Sequence, residues 1–475
     1  MQKYEIKMGC KKNLIFNNLD RIPSYTGFWL VAGSGIIWAS MAMGSGELIW
    51  WPYLTAKYGP SFIGLLLPAC LLQYFVNQEI NRYTATTGEG IFQGFVRLHF
   101  LFGILMWIMM VISFAWFGSY VMSGATALAE MVKLPGNYSR QQTCLIFSYG
   151  IIAIYAGILF FVKSVYTVIE YFMKIMIVVC ILGLLISVFN PVILKTAPDF
   201  FYSYFNPLYL VRNGLPSKWS PSDSNILLTA ICFAGMGGFL NIMYSYWIRT
   251  KGIGVCKIMN EEMHIGYVFL DTHDNYLNYH KWIKHISFEN LMAVGINAIM
   301  VMIMCWFSWA VLLPQNKYPE GWNIAVVQAD FFSVSLGLFG KYLFLIIAAA
   351  FLCDTWIGIT DACARMHADF FRSTFSFARK YSHKTLYYFF STFLLIISCV
   401  TIPLAQPGPL LILGGIFNFI AMPIYCFALI YLNYYKVPLV FPKWVRPSQL
   451  SLIAIVVVTL IYLAIAIWYV TVIFR

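Results

Sequence analysis

The sequence predicts an all-α polytopic membrane protein of about eleven transmembrane helices, arranged as inverted five-helix repeats in which helices 1 and 6 are broken. Three observations carry this expectation. Of 475 residues, 60% are hydrophobic and only 11% are charged, against about 25% charged in an ordinary soluble domain; the mean hydropathy is +0.74. Apolar runs long enough to cross a bilayer recur along the whole chain. Two of those runs are interrupted by glycines at matching places. The composition excludes a soluble enzyme, a disordered chain and a nucleic-acid-binding domain.

A spanning helix needs about 20 mainly apolar residues. By that rule the spans fall at 28–57, 61–81, 101–131, 143–162, 166–189, 225–248, 287–313, 338–364, 385–404, 409–433 and 448–472. Residues 1–27 are a polar N-terminal segment with Lys3, Lys7, Lys11 and Lys12. No short apolar run with a small-residue cleavage site precedes the first span, so no signal peptide is expected. Residues 28–475 form one transmembrane domain. Its longest hydrophilic connections are 190–224, rich in proline, and 249–286, which holds most of the histidines.

Lys and Arg number 31 against 19 Asp and Glu, a net charge of +12. When the spans alternate in direction, most of the bases gather on the side of the N-terminus. The positive-inside rule then places residues 1–27 and 249–286 in the cytoplasm, and 190–224 and the C-terminus outside. The expected home is the plasma (cell inner) membrane. The excess of base is therefore explained by topology, with the lipid bilayer as partner and no nucleic acid. The 11 cysteines are scattered without a CxxC pair and read as small buried hydrophobes.

The first span contains Gly44-Ser45-Gly46-Glu47 and the sixth contains Gly235-Met236-Gly237-Gly238. Glycine is a poor helix interior, and a glutamate is costly in lipid. Both features fit a helix that unwinds at 44–46 and lines a cavity. Interrupted helices at matching positions of two halves point to a binding site between inverted repeats. Close helix packing through glycine faces is the plainer alternative.

These residues resemble the Nramp-type divalent-metal transporters. Gly33-Ser34-Gly35 matches the family's opening Gly-Pro-Gly. Gly44, Ser45, Gly46 and Glu47 then fall on its Asp-Pro-Gly-Asn. In the sixth span Gly238, Phe239, Leu240 and Asn241 fall on Met-Pro-His-Asn, and Ser245 falls on a second His. Thr87-Gly88-Glu89-Gly90 is similar to the family's Thr-Gly-Lys/Arg-Asp. The likeness covers nearly the whole chain in layout and implies a leucine-transporter-like fold with eleven helices. The sequence departs from the family at the metal-binding Asp, the thioether and both histidines, and the third span has no acid before Glu130.

Glu47 is the main candidate for the site. A carboxylate beside unwound carbonyls makes a hard, oxygen-rich cation site, which Ser45, Asn241 and carbonyls near Gly44 and Gly235 would complete. Glu47 and Asn241 are the expected metal ligands. Losing the soft sulfur removes one preference for transition metals over Mg²⁺ or Ca²⁺, unless Met236 substitutes. A protonated Glu47 would suit proton coupling. As a plainer role, Glu47 could be an interhelical partner. Asp354 and Asp361 are seven residues apart on one face of the eighth span, and Asp354 is about 20 Å along the helix from Lys341. The resemblance implies that Asp354, with Thr355, binds Na⁺ or relays a proton. Asp361 is a coupling candidate whose plainer role is pairing with Arg365 at i+4. Glu170 and Lys174 are expected to pair in the same way, and Asn418 to face the site. The cluster Glu261, Glu262, His264, Asp271, His273, Asp274, His280 and His285 reads as a solvated face, with metal collection as the alternative.

No P-loop, Ser/His/Asp or HExxH pattern occurs, so neither an enzyme nor an ATP-driven pump is expected. No cofactor is expected beyond a divalent cation as substrate. The resemblance implies a secondary transporter of a cation (Mn²⁺, Fe²⁺ or Mg²⁺-like), with H⁺ or Na⁺ coupling open. The alternatives are a cation-coupled symporter of a small organic solute such as an amino acid, and a non-transporting membrane sensor or scaffold.

Overall fold

The computed structural model describes residues 16–27, 33–132, 134–161, 165–260 and 262–473. The expected start of the first span at 28–32 lies outside the described residues, as do Glu261 and the side chains of Glu170 and Lys174.

The first span is two helices, α1 (Ser34–Ala42) and α2 (Trp51–Tyr58), joined by a π-helical turn at Gly46–Trp50. Then follow α3 (Leu66–Thr87), α4 (Ile91–Leu98), α5 (Phe100–Phe114), α6 (Gly118–Met131), α7 (Arg140–Phe161) and α8 (Val165–Val188). The proline-rich connection folds into short helical pieces, of which α9 (Ala197–Tyr204) is the longest. The sixth span is again two helices, α10 (Ser224–Cys232) and α11 (Phe239–Lys251). The chain closes with α12 (His273–Phe307), α13 (Asp330–Thr374), α14 (His383–Thr401), α15 (Pro407–Tyr431) and α16 (Gln449–Ile473). A left-handed Gly337 (φ 58°) kinks α13 just where the eighth span was expected to begin.

Eight helical stretches among the described residues are long and apolar enough to cross a membrane, fewer than the roughly eleven expected. The first and sixth spans fall short because each is interrupted. The fifth is the 24-residue helix α8, of which Val178–Val188 is the apolar segment found among the described residues. The third span, expected as one helix, turns at residues 115–117 between α5 and α6.

The structure refines the expected layout in three places. The break expected from unwinding at 44–46 is a turn at 43–44 followed by a π-helical turn. The helix tightens at Met43, whose N–H donates to the Ser40 carbonyl at 3.0 Å, and then widens into the π-turn, where Trp51 N–H donates to the Gly46 carbonyl. The 249–286 connection is shorter than expected, because α12 already begins at His273. The fold is not purely helical: β1 (Asn17–Leu19) pairs in parallel with β2 (Tyr267–Phe269), in register Asn17 to Tyr267. Asn275 reinforces that join, accepting from Ile22 N–H at 2.8 Å and donating to the Asp20 carbonyl at 2.9 Å.

The packing places α13 against α6, α8 and α14, while α12 lies against α1 and α3, and α15 against α5, α10 and α16. Small residues permit the closest approach. A Cβ on Gly124 of α6 would lie 2.7 Å from Cys353 Sγ and 3.0 Å from the Ala349 carbonyl of α13.

Candidate functional site at the paired helix breaks

The two interruptions meet. A Cβ on Gly46 would collide with the Phe233 carbonyl, so only glycine lets the π-turn of the first span touch the end of α10. Between α10 and α11 the chain passes through Gly235 (φ 114°) and Gly238 (φ 69°), both left-handed and so suited to glycine. A break in lipid leaves backbone groups that need partners. Here side chains from two elements, the π-turn of the first span and α15, supply them. Glu47 Oε1 accepts the Gly235 N–H at 2.7 Å, Asn418 Oδ1 accepts the Phe239 N–H at 2.8 Å, and Tyr425 donates to the Gly238 carbonyl at 3.1 Å.

Glu47 is fully buried. Beside it lie Asn297 and Cys305 of α12 and Cys70 of α3. Its other oxygen, Oε2, has no hydrogen-bond partner among the described residues, and neither has either amide atom of Asn297. Asn241 is committed elsewhere. It donates to Gln73 Oε1 and Asn77 Oδ1, both at 2.8 Å, and accepts from Tyr425 at 3.0 Å. Its amide thus belongs to a buried network that continues from Asn77 to Asn290 at 3.2 Å. Among the described residues no hydrogen bond joins Glu47 to Asn241, the pair expected as metal ligands. Met236 is fully buried in the core.

Gly44 and Ser45 face a different neighbourhood. Ser45 Oγ donates to the Tyr120 hydroxyl of α6 at 3.1 Å, and a Cβ on Gly44 would lie 3.0 Å from Thr355 Oγ1. Helices α1 and α13 join there. Ser40 donates to Asp354 Oδ2 at 3.3 Å, and Thr355 donates to the Met41 carbonyl at 3.2 Å and to the Phe351 carbonyl at 2.8 Å. Asp354 is buried, and its Oδ1 has no partner among the described residues. Asp361 lies apart, held by Arg365 at 3.1 and 3.2 Å and by Tyr387 at 2.6 Å.

A cavity of about 10 Å³ lies against the breaks, lined by Phe114, Phe117, Tyr120, Phe233 and Asn418 among others. That is room for about one water, so a larger occupant requires these rings to move. Among the described residues no group of three or more His, Cys, Asp and Glu could hold a metal ion.

Toward the end that bears the N-terminal segment, the site is closed by buried polar ties. Asp369 of α13 accepts from Arg249 and Tyr246 of α11, each at 3.0 Å, and from Gln93 of α4 at 2.8 Å. Glu89 accepts from Arg97 Nε, Tyr83 and the Gly266 N–H, all at 2.7 Å. At the opposite end Lys57 meets Asp223 at 2.7 Å, and Tyr58 donates to the same carboxylate at 2.6 Å. The expected solvated cluster is partly structural. Glu262 pairs with Arg372 at 2.6 Å, Asp271 accepts from Trp444 at 2.7 Å, and His285 is buried beside Glu289. Gln73, Asn77, Asn297, Tyr120 and Glu289 had no local signal, because their partners come from other spans.

No family model and no curated protein sequence matches this chain. Solved structures do. Two crystal structures of mutants of the Eremococcus coleocola manganese transporter match over 97% of this chain and 98% of theirs, with TM-scores of 0.60 and 0.59 at 12% and 13% identity. The crystal structure of MhsT in complex with L-phenylalanine matches over 93% of this chain and 99% of its own, with a TM-score of 0.50 at 14% identity. At such identities the likeness is one of fold. The chain has the leucine-transporter-like fold, with inverted repeats and helices 1 and 6 broken.

Proposed function

We propose that this chain is a secondary-active transporter that carries a cation across the plasma membrane by alternating access. The observation that carries the reading is a pair of buried carboxylates at the junctions of the broken first helix. Glu47 bridges to the second break, Asp354 reaches α1, and each keeps one oxygen without a partner among the described residues. Buried acids at membrane depth mark ion pathways. The substrate is a divalent cation taken by hard oxygen donors: Glu47, Ser45 and the carbonyls near Gly44 and Gly235. This reading is supported by the fold shared with the manganese transporter. Asn241 shapes the site from behind, Met236 packs it, and Asp354 with Thr355 takes the coupling H⁺ or Na⁺. Asp361 anchors Arg365.

The N-terminus and the Asp369 closure face the cytoplasm, and the C-terminus faces outside. Opening inward separates α11 from α13, which breaks the Arg249–Asp369 and Tyr246–Asp369 contacts. Opening outward requires the first and sixth spans to move away from Tyr120 and the rings around the cavity.

The test is uptake of Mn²⁺, Mg²⁺ and Ca²⁺ into proteoliposomes by wild type and Glu47→Gln, with and without H⁺ and Na⁺ gradients. Uptake that the substitution abolishes supports the reading, and no metal uptake under any gradient overturns the choice of substrate. A second reading, a cation-coupled symporter of a small organic solute, is favoured by the aromatic lining of the cavity. It expects solute uptake driven by the same gradients, with Asp354 required.

A further inference from the structure

The first span is held at both ends by residues from elsewhere in the chain. Nearer the N-terminal segment, Glu289 of α12 caps α1, accepting Gly33 N–H at 2.8 Å and Gly35 N–H at 2.9 Å. The other half, α2, is tied to residues 313–329, which connect α12 to α13. At i+4 from Leu48 stands Pro52, which has no N–H to give the Leu48 carbonyl. Gln328 Nε2, from the connection, donates to that carbonyl at 2.9 Å. Ile324 and Ala325 of the connection are buried. A Cβ on Gly408 would lie 3.3 Å from Ile324 Cδ1 and 3.7 Å from Trp50 Cη2, so the connection sits against the first break. Farther out the tie is a single ammonium. Lys57 Nζ donates to Asp223 Oδ2 and to the Tyr53 hydroxyl, both at 2.7 Å. It lies 5.1, 5.6 and 5.4 Å from the ring centres of Tyr53, Tyr58 and Tyr318, within the reach of about 6 Å for a cation–π contact. Tyr53 and Tyr318 also meet edge to face at 5.2 Å. Tyr53, Tyr58 and Asp223 are buried, while the Lys57 side chain keeps 25% of its surface exposed. The cage therefore opens to solvent where the lysine enters it.

We propose that Tyr53, Tyr58, Tyr318 and Asp223 form a binding site for an alkylammonium ion, that Lys57 is its tethered occupant, and that this occupancy fastens the 313–329 connection over the first break. A primary ammonium has three N–H donors. Asp223 and Tyr53 take two of them, and the ring faces offset charge that the carboxylate does not. The groups come from three separate segments: α2, the residue before α10, and the connection. The ammonium is the point at which they meet. Without it Asp223 keeps only the phenol donors, Tyr58 at 2.6 Å and Tyr53 at 3.3 Å. Tyr318 then loses the charge it faces, and Gln328 holds the connection at one end alone. In the wild type the tether gives the ammonium a high effective concentration, which excludes a free ion. Truncating the lysine vacates the site. This cage lies apart from the paired breaks, goes beyond the transport reading, and is tested without a transported substrate.

The experiment is hydrogen exchange of residues 313–329 in the full chain in lipid nanodiscs at about pH 7.5, where alkylamines are cationic. The N–H groups of Asn316, Lys317, Asn323, Val326 and Ala329 are hydrogen-bonded to nearby carbonyls and report the order of the connection. Exchange in α14 serves as the internal reference. Lys57→Ala should lower protection of the connection by about fivefold to thirtyfold. Added n-propylammonium, which carries the atoms that the truncation removes, should restore it. Sodium ion at equal ionic strength, or neutral n-propanol, should not. The wild type should respond to none of the three. Lys57→Met keeps an unbranched stem without the charge and should lose protection as Lys57→Ala does; it is also the variant to read should alanine disturb α14. Unchanged protection in a folded variant, no recovery with n-propylammonium, or equal recovery with sodium or propanol would overturn the proposal. Each of these results leaves cation uptake to its own test, and failed uptake leaves the cage standing.

Discussion

Glu47 and Gly235 are joined across the two broken helices: the side chain of the first break accepts, at 2.7 Å, the backbone N–H of the second. One carboxylate therefore does two jobs. One oxygen completes the backbone of α10–α11, and the other, without a partner among the described residues, is the one the proposed function gives to a cation or a proton. Glu47→Gln keeps the accepting oxygen and removes the charge. We expect a folded protein whose thermal midpoint stays near the wild-type value, with uptake reduced to background. Equal uptake by both proteins would take Glu47 out of the site.

Gly46 and Phe233 test the contact between the breaks. Gly46→Ala places a methyl in the Phe233 carbonyl, and such overpacking typically costs about 1–3 kcal/mol. Thermal unfolding in detergent should show a clear drop in midpoint. Gly150→Ala, where a Cβ meets nothing within 4 Å, should show none. Equal midpoints for the two variants would mean that the breaks do not touch.

Asp369 ties α11 to α13 through Arg249 and Tyr246. Removing one partner of a buried ion pair costs about 3–5 kcal/mol, and here the loss falls on the closed arrangement. Asp369→Asn should favour the inward-open form. Cys256, buried nearby with its thiol donating to the Thr84 carbonyl at 3.3 Å, is a native reporter. Under the proposed orientation, its maleimide labelling from the cytoplasmic side should speed up in the variant. Unchanged labelling would assign the Asp369 network to static support.

His264 makes the docking of its loop depend on pH. Burial, with Arg379 and Arg372 nearby, holds its imidazole below the usual 6.5. Above that value both folded and unfolded loop carry it neutral. As pH falls through the unfolded value, the released loop takes the proton first, so docking of residues 262–270 weakens. Limited proteolysis of this loop should accelerate below about pH 6.5, and His264→Asn should remove the acceleration. Cleavage that slows in acid would reverse the assigned sign.

The positions of the breaks were legible because their signals are local: three glycines beside α11, and a glutamate where lipid would reject one. Asp354 stood out for the same reason, since an acid deep in an apolar run has few explanations, but its join to Ser40 of α1 did not follow from spacing along the chain. The role of Asn241 was not. Its partners Gln73 and Asn77 lie on α3 and Tyr425 on α15, and no spacing along the chain brings them together. His285 was placed in a loop because a helix that continues past the bilayer reads as hydrophilic chain. The π-turn escaped notice because a glycine pair signals weakness in an α-helix without saying which geometry replaces it.

The pairing of β1 with β2 has a consequence for the order in which the protein is made. Asn17 emerges early in synthesis, while its partner Tyr267 and the capping Glu289 follow about 250 residues later. The first helix must therefore enter the bilayer with its leading turn uncapped and its flanking strand unpaired. Such long-range closure is slow because the intervening loop entropy is lost first. Nascent chains stalled before α12 should consequently leave this segment open to protease or to a chaperone, and chains released beyond it should not. The inner end of the first helix is thus begun first and finished only once the seventh span has arrived.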